Sequence, residues 1–272
     1  MNCSVFALMI AASYIGLTES VLSAAPLADR PRASGVWCER RSDYPITKEH
    51  EWRLALSLRR ITGYAALQFA SDGSLSLGES SAVIGGSAEA RRILTAAVYS
   101  SSLFVVEDFS GSRSVTFGQA VPEQLYQERD RSTSQIWRLR LDFDDFQQMV
   151  APPDVRATFD EGFTLFHELL HGLGCKDAAR GGELGACEEI VNRIRSDLGL
   201  PLREQYLGET WRMTETLRSI RLRFRSHPRN GDPSPQGMRY LFFLLTESTE
   251  CFEDVRALTS VDRNCRQQNR RD

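Results

Sequence analysis

No stretch of this chain stays apolar for the roughly 18–20 residues that a membrane-spanning helix needs. Opposite charges nearly cancel, with 33 Lys+Arg against 36 Asp+Glu, so no positive field marks a nucleic-acid partner. The short basic tail from Arg266 reads as a solvated end. Six cysteines occur without a Cys-x-x-Cys pair, which makes a zinc ribbon a poor fit. There is no Gly-rich phosphate loop, no dinucleotide fingerprint and no Gly-x-Ser-x-Gly elbow. Histidine is scarce, at four in 272 residues.

What is present fits a folded domain: 42% hydrophobic and 25% charged residues, enough to bury a real core. The longest apolar run, Val5 to Leu17, precedes Ser23, Ala24 and Ala25 and reads as a secretory signal over residues 1–25. Residues 26–272 then form one domain, in a secreted or periplasmic protein. Removing the leader takes Cys3 with it. The spacing of the remaining cysteines suggests local disulfides Cys175–Cys187 and Cys251–Cys265, with Cys38 left over.

The patterning is α+β. Residues 26–50 read as surface-wrapping chain, and Tyr64–Phe69 as strand-like before the Asp72-Gly73 turn. Ser87 caps a helix reaching Ser100, and Leu103–Val106 and Val115–Phe117 read as short strands. Ile136–Phe143 alternates apolar with charged residues and is expected at a sheet edge. Helices are predicted over Thr158–Leu173 and Glu183–Leu198, the second stopped by Gly199-Leu200-Pro201. Thr214–Arg225 and Met238–Glu247 flank a polar loop beginning at His227 and read as a C-terminal hairpin. The acidic run Asp142, Asp144, Asp145 lacks the glycine and spacing of a calcium loop and reads as a strand end.

The chemistry concentrates in Phe163-Thr-Leu-Phe-His167-Glu168-Leu-Leu-His171-Gly-Leu-Gly174. Histidines four apart share a helix face and can reach one metal ion, while Glu168 can lean over an open coordination position as a general base. At this composition a chance His-Glu-x-x-His has a likelihood of roughly 0.004 per chain. The flanking residues make a buried helix, where two imidazoles and a carboxyl without a partner cost several kcal/mol.

This segment resembles the zincin metallopeptidases. The resemblance implies a zincin-like mixed sheet, Zn²⁺ on His167 and His171, Glu168 as general base, and a third protein ligand. The run through Gly174-Cys-Lys-Asp177 resembles the metzincin-like variant in which an aspartate ligates. The gluzincin alternative takes a glutamate from the next helix, where Glu183 projects near the centre of the apolar face and Glu188 lies at its flank. Glu183 is favoured, ahead of Asp177 and Glu188.

Glu183-Leu-Gly-Ala-Cys, then Asn192-x-x-Arg195 and Leu198-Gly-x-Pro-x-Arg203-x-x-Tyr206, resembles the downstream block of bacterial effector-type and toxin-associated zincin peptidases. That resemblance implies, as an alternative, delivery into a host cell. Arg203 and Tyr206 follow the helix stop and are candidates to stabilise an oxyanion, whereas Asn192 and Arg195 suit a supporting role. The expected activity is zinc-dependent peptide-bond hydrolysis on a protein or peptide substrate laid along the Ile136–Phe143 edge. The alternative is an inactive zincin-like binding module.

Overall fold

The computed structural model describes residues 34–40, 43–78, 83–111, 117–127, 132–177, 183–206, 209–212, 218–226 and 238–245. The leader, Val115, His227, Glu247, Cys251 and Cys265 lie outside these residues. In chain order the elements are β1 (Gly35–Cys38), α1 (Lys48–Thr62), β2 (Gln68–Phe69), β3 (Leu75–Ser76), α2 (Ala88–Val98), β4 (Leu103–Asp108), β5 (Gly118–Gln127) and β6 (Ser132–Leu141). There follow α3 (Phe143–Gln147), β7 (Met149–Val150), α4 (Pro153–Arg156), α5 (Glu161–Gly172), α6 (Gly185–Asp197), β8 (Leu202–Arg203), β9 (Glu209–Arg212), β10 (Arg218–Arg225) and β11 (Met238–Leu245). The architecture is mixed α+β, as the patterning predicts. No helix among the described residues is long and apolar enough to cross a membrane.

The first sheet runs β1-β4-β6-β5, parallel except for β5, which is antiparallel to β6. Two expectations change here. Ile136–Phe143 is not an edge: its residues up to Leu141 lie in β6, between β4 and β5. The alternation arises because Leu139 and Leu141 enter the core while Arg138 and Arg140 pair with buried Glu107 on the other face. Side-chain alternation reports faces, not how many neighbours a strand has. Residues 35–38, expected to wrap the surface, instead form β1, and Val36 and Cys38 are buried.

The helices pack through one core that joins Leu54, Leu58, Ile61, Ile93, Leu94, Phe163, Phe166 and Val191 to Phe104, Val106 and Leu139 of the sheet. Burying each large apolar side chain contributes about 1.5–3 kcal/mol. Helix α5 lies at the centre of this core, with every residue from Glu161 to Leu170 buried. Asp160 starts it, its carboxylate accepting from the Gly162 and Phe163 amides. Gly174 closes its end in a left-handed conformation (φ 93°), and the Cys175 amide donates to Leu170 O at 2.9 Å.

The second sheet, β7-β11-β10-β8 with β9 beside β10, contains the expected hairpin as β10 and β11. It packs a separate cluster that includes Phe146, Phe159, Phe224 and Phe243. Phe117 belongs to that cluster and heads β5 with a left-handed backbone (φ 61°), costly for a residue bearing a Cβ. Its amide donates to Asp145 Oδ2 at 2.8 Å, and its ring packs on Phe146, Phe159 and Phe243. The acidic run is therefore more than a strand end, because Asp142 caps α3 and Asp145 fixes the corner from which β5 departs.

Burial, reinforced by Asp142 and Asp144 and opposed by the Phe117 amide, pushes Asp145 up to about 7. A carboxyl raised on folding binds more protons in the native state between its unfolded value, near 4, and about 7, so stability falls as pH rises across that window. Asp145→Asn keeps an acceptor for Phe117 without the charge. Urea unfolding should find the two proteins nearly equal at pH 4 and the variant favoured by about 1–2 kcal/mol at pH 8, once solvent screening is allowed for. An equal offset at both pH values contradicts this assignment.

Candidate metal centre

On α5 the two imidazoles stand one helical turn apart with ring centroids separated by 5.0 Å. The turn at Gly174 returns the chain so that Asp177 lies against both rings. Asp177 Oδ1 is 3.3 Å from His167 Nε2, and Asp177 Oδ2 is 3.2 Å from His171 Nε2. One donor atom from each of the three residues lies within 4.8 Å of the others, a group that can hold a metal ion. Four ligands at ~2.0–2.1 Å from a tetrahedral ion stand about 3.3 Å apart, so the Asp177 separations already match the edges of such a site. Asp177 Oδ1 is buried and receives no hydrogen bond, since its contact with His167 is poorly aligned. A cation answers that unmet demand.

Charge ties the cluster together. Burial is the largest influence on His167 and favours the neutral ring, but Asp177 and Glu188 outweigh it and raise the imidazole to about 10. Burial pushes Asp177 up, yet the two imidazoles and the Tyr206 hydroxyl hold it far below the usual carboxylate range. Glu168 is also buried, and that burial raises its carboxyl against the pull of both imidazoles and of the Ala120 amide. The Ala120 amide contact sets the Glu168 carboxyl between α5 and β5. A Cβ at Gly118 would lie 2.5 Å from Thr164 Cγ2 and 3.2 Å from Glu168 Oε1, so only glycine lets β5 approach the helix there.

The downstream candidates separate by role. Glu183 precedes α6 and is exposed, outside the group that can hold a metal ion. Its expected place on the apolar face assumed helix from residue 183, whereas α6 begins at Gly185. Glu188 is buried on that helix and faces the far side of His167, with Oε2 3.2 Å from Nδ1 but off the line of a hydrogen bond. Arg195 binds its other oxygen, and Arg203 Nη1 donates to Oε2 at 3.2 Å. Glu188 thus lies outside the group that can hold a metal ion, beside the His167 nitrogen turned away from Asp177.

Arg203 stands outside the group that can hold a metal ion; its guanidinium engages Glu188 and the Tyr206 carbonyl and lies 5.4 Å from the Tyr206 ring centroid. Asn192 clamps the Arg203 backbone, accepting from its amide at 2.9 Å and donating to its carbonyl at 2.7 Å. Tyr206 itself arrives at the cluster. Its hydroxyl donates to Asp177 Oδ2 at 2.7 Å and lies 3.4 Å from His167 Nε2. Burial, with Asp177 beside it, keeps the phenol protonated.

The stripe Glu188, Asn192, Arg195 is spaced i, i+4, i+7, a signal in the sequence that the buried face of α6 carries a polar network. Removing one member of such a buried charged set costs roughly 3–5 kcal/mol.

These placements separate the candidate ligands experimentally. By metal analysis of untagged protein, Asp177→Ala should lower affinity for a divalent metal at least tenfold, whereas Glu183→Ala should leave it within about twofold. Loss on the Glu183 substitution with retention on the Asp177 one reverses the assignment. Comparison of the chain with protein-family models, curated proteins and solved structures finds no match.

Proposed function

We propose that the protein is a zinc-dependent endopeptidase of zincin type, with His167, His171 and Asp177 as protein ligands. The observation that carries this reading is a buried carboxyl, Glu168, on the helix whose two histidines form with Asp177 a group able to hold a metal ion. The donor set of two imidazoles and one carboxylate suits Zn²⁺ with a further coordination position open. The ion, when bound, supplies Lewis acidity toward a substrate carbonyl and lowers the pKa of water.

The chain's own groups perform the proton work. Glu168 takes the proton from the attacking water and later delivers it to the leaving amine, a cycle suited to a carboxyl whose pKa burial has raised. The Tyr206 hydroxyl, protonated and beside the ligands, donates a hydrogen bond to the developing oxyanion once it leaves Asp177. Arg203 positions Tyr206 from behind. Among the described residues β5 pairs on one side only, with β6, and its Ala120 amide meets Glu168. An extended peptide adding to that edge lies beside the general base. The protein or peptide substrate therefore follows β5, where the sequence suggests β6.

On a mixed peptide library, Glu168→Gln should retain zinc and lower turnover at least a thousandfold, while Tyr206→Phe should lower kcat roughly 10–100-fold with little change in KM. Equal cleavage by wild type and Glu168→Gln defeats the mechanism. Zinc retention with no product from either protein favours a binding module.

A further inference from the structure

Cys175 and Cys187, expected as a disulfide, are free thiols. A feature the sequence does not signal lies away from them, where α1 and the first turn of α5 frame an open cavity of about 580 Å³. That is the size of a small-molecule site. It sits at the start of the helix whose other end carries His171, about 15 Å along the axis. Its walls combine two chemistries. Leu56, Ala65 and Ile84 line it and are exposed, Ile84 to 78%. Arg53, Arg59 and Arg60 line it as well, against the carboxylates of Asp160 and Glu161. Both carboxylates are already engaged. Asp160 accepts from the Gly162 and Phe163 amides, from Ser57 Oγ at 2.7 Å and from Arg60 Nη2 at 2.7 Å. Glu161 accepts from Arg53 Nη2. Arg59 differs: its one hydrogen bond among the described residues runs from Nε to Leu67 O at 2.6 Å, which leaves both Nη groups out of it.

We propose that this cavity binds a small monocarboxylate with an apolar body, its carboxylate on Arg59 and its apolar part against Leu56, Ala65 and Ile84. Charge complementarity selects the ligand's sign. Three guanidinium groups stand against two paired carboxylates, so the wall carries one positive charge in excess, and a single anionic group balances it. The carbonyl end of α1 would repel an anion, but Arg91 Nη1 covers it, donating to Thr62 O at 2.8 Å and to Gly85 O at 2.9 Å. A guanidinium grips a carboxylate through paired N–H donors, and the Arg59 Nη groups can supply them. The exposed leucine and isoleucine then gain from covering an aliphatic chain. None of these groups belongs to the metal centre, so the site stands apart from the zinc reading.

The test titrates the isotope-labelled full chain with octanoate and with N-acetylleucine, using octanamide and N-acetylleucinamide as uncharged controls. NMR amide shifts at Leu56, Arg59 and Ile84 should move with both acids, each bound at least tenfold more tightly than its amide. The tighter acid identifies the better source, a free aliphatic acid or a peptide terminus. Arg59→Gln should bring each acid down to the affinity of its amide while leaving the amides unchanged. Ile84→Ser, at an exposed position that the fold tolerates, should weaken every probe. Equal binding of acids and amides overturns the proposal. So does acid binding that survives Arg59→Gln, or the absence of shifts at these residues with any probe at millimolar concentration.

Discussion

A single carboxylate, Asp177, reaches both imidazoles of the α5 helix, and the surrounding structure keeps those three groups together. Two histidines a turn apart follow from helical geometry alone, but a third donor needs the chain to reverse within a few residues. The left-handed turn at Gly174 provides that reversal. The same glycine ends the helix and turns the chain so that Asp177 lies against both imidazoles. Assembling these polar groups in an apolar core is costly in isolation, and the attraction between the imidazoles and Asp177 offsets part of that cost.

A second layer holds the first. Glu188 lies between His167 and two guanidinium groups, Arg195 and Arg203, and Arg203 in turn backs Tyr206. Asn192 fixes the Arg203 backbone to α6. The block after α5 therefore supplies one group to the cluster, Tyr206, and sets its charged residues against that group and His167. On the opposite flank, β5 is set by Phe117, whose strained backbone is held by Asp145 and an aromatic cluster, and Gly118 then lets the strand lie against Glu168. Helix α5, the returning loop and β5 thus meet around Glu168 and the two imidazoles.

Much of this was readable from residue order. The His167–His171 helix, its stop at Gly174, the α6 stop and the C-terminal hairpin follow local rules of periodicity, capping and turn chemistry. The errors lie where tertiary pairing decides. The alternation of Ile136, Arg138 and Arg140 looks like a half-solvated edge, but buried Glu107 neutralises the arginines and, among the described residues, β5 takes the edge position. Glu183 lost its place because α6 starts two residues later than its pattern suggests, which removes the residue from the helical face. Asp177 and Glu188 were both in view as ligands, and only the relative placement of loop and helix could set one against His167 Nε2 and the other against Nδ1.

The most direct measurement of the central claim is zinc K-edge X-ray absorption on the purified, stoichiometrically loaded protein. The account predicts a first shell of nitrogen and oxygen only, at about 2.0–2.1 Å, with outer-shell scattering from two imidazoles. A sulfur contribution near ~2.3 Å would place a cysteine in the first shell, and a shell without two imidazoles would remove the helix from the site; either result contradicts the account.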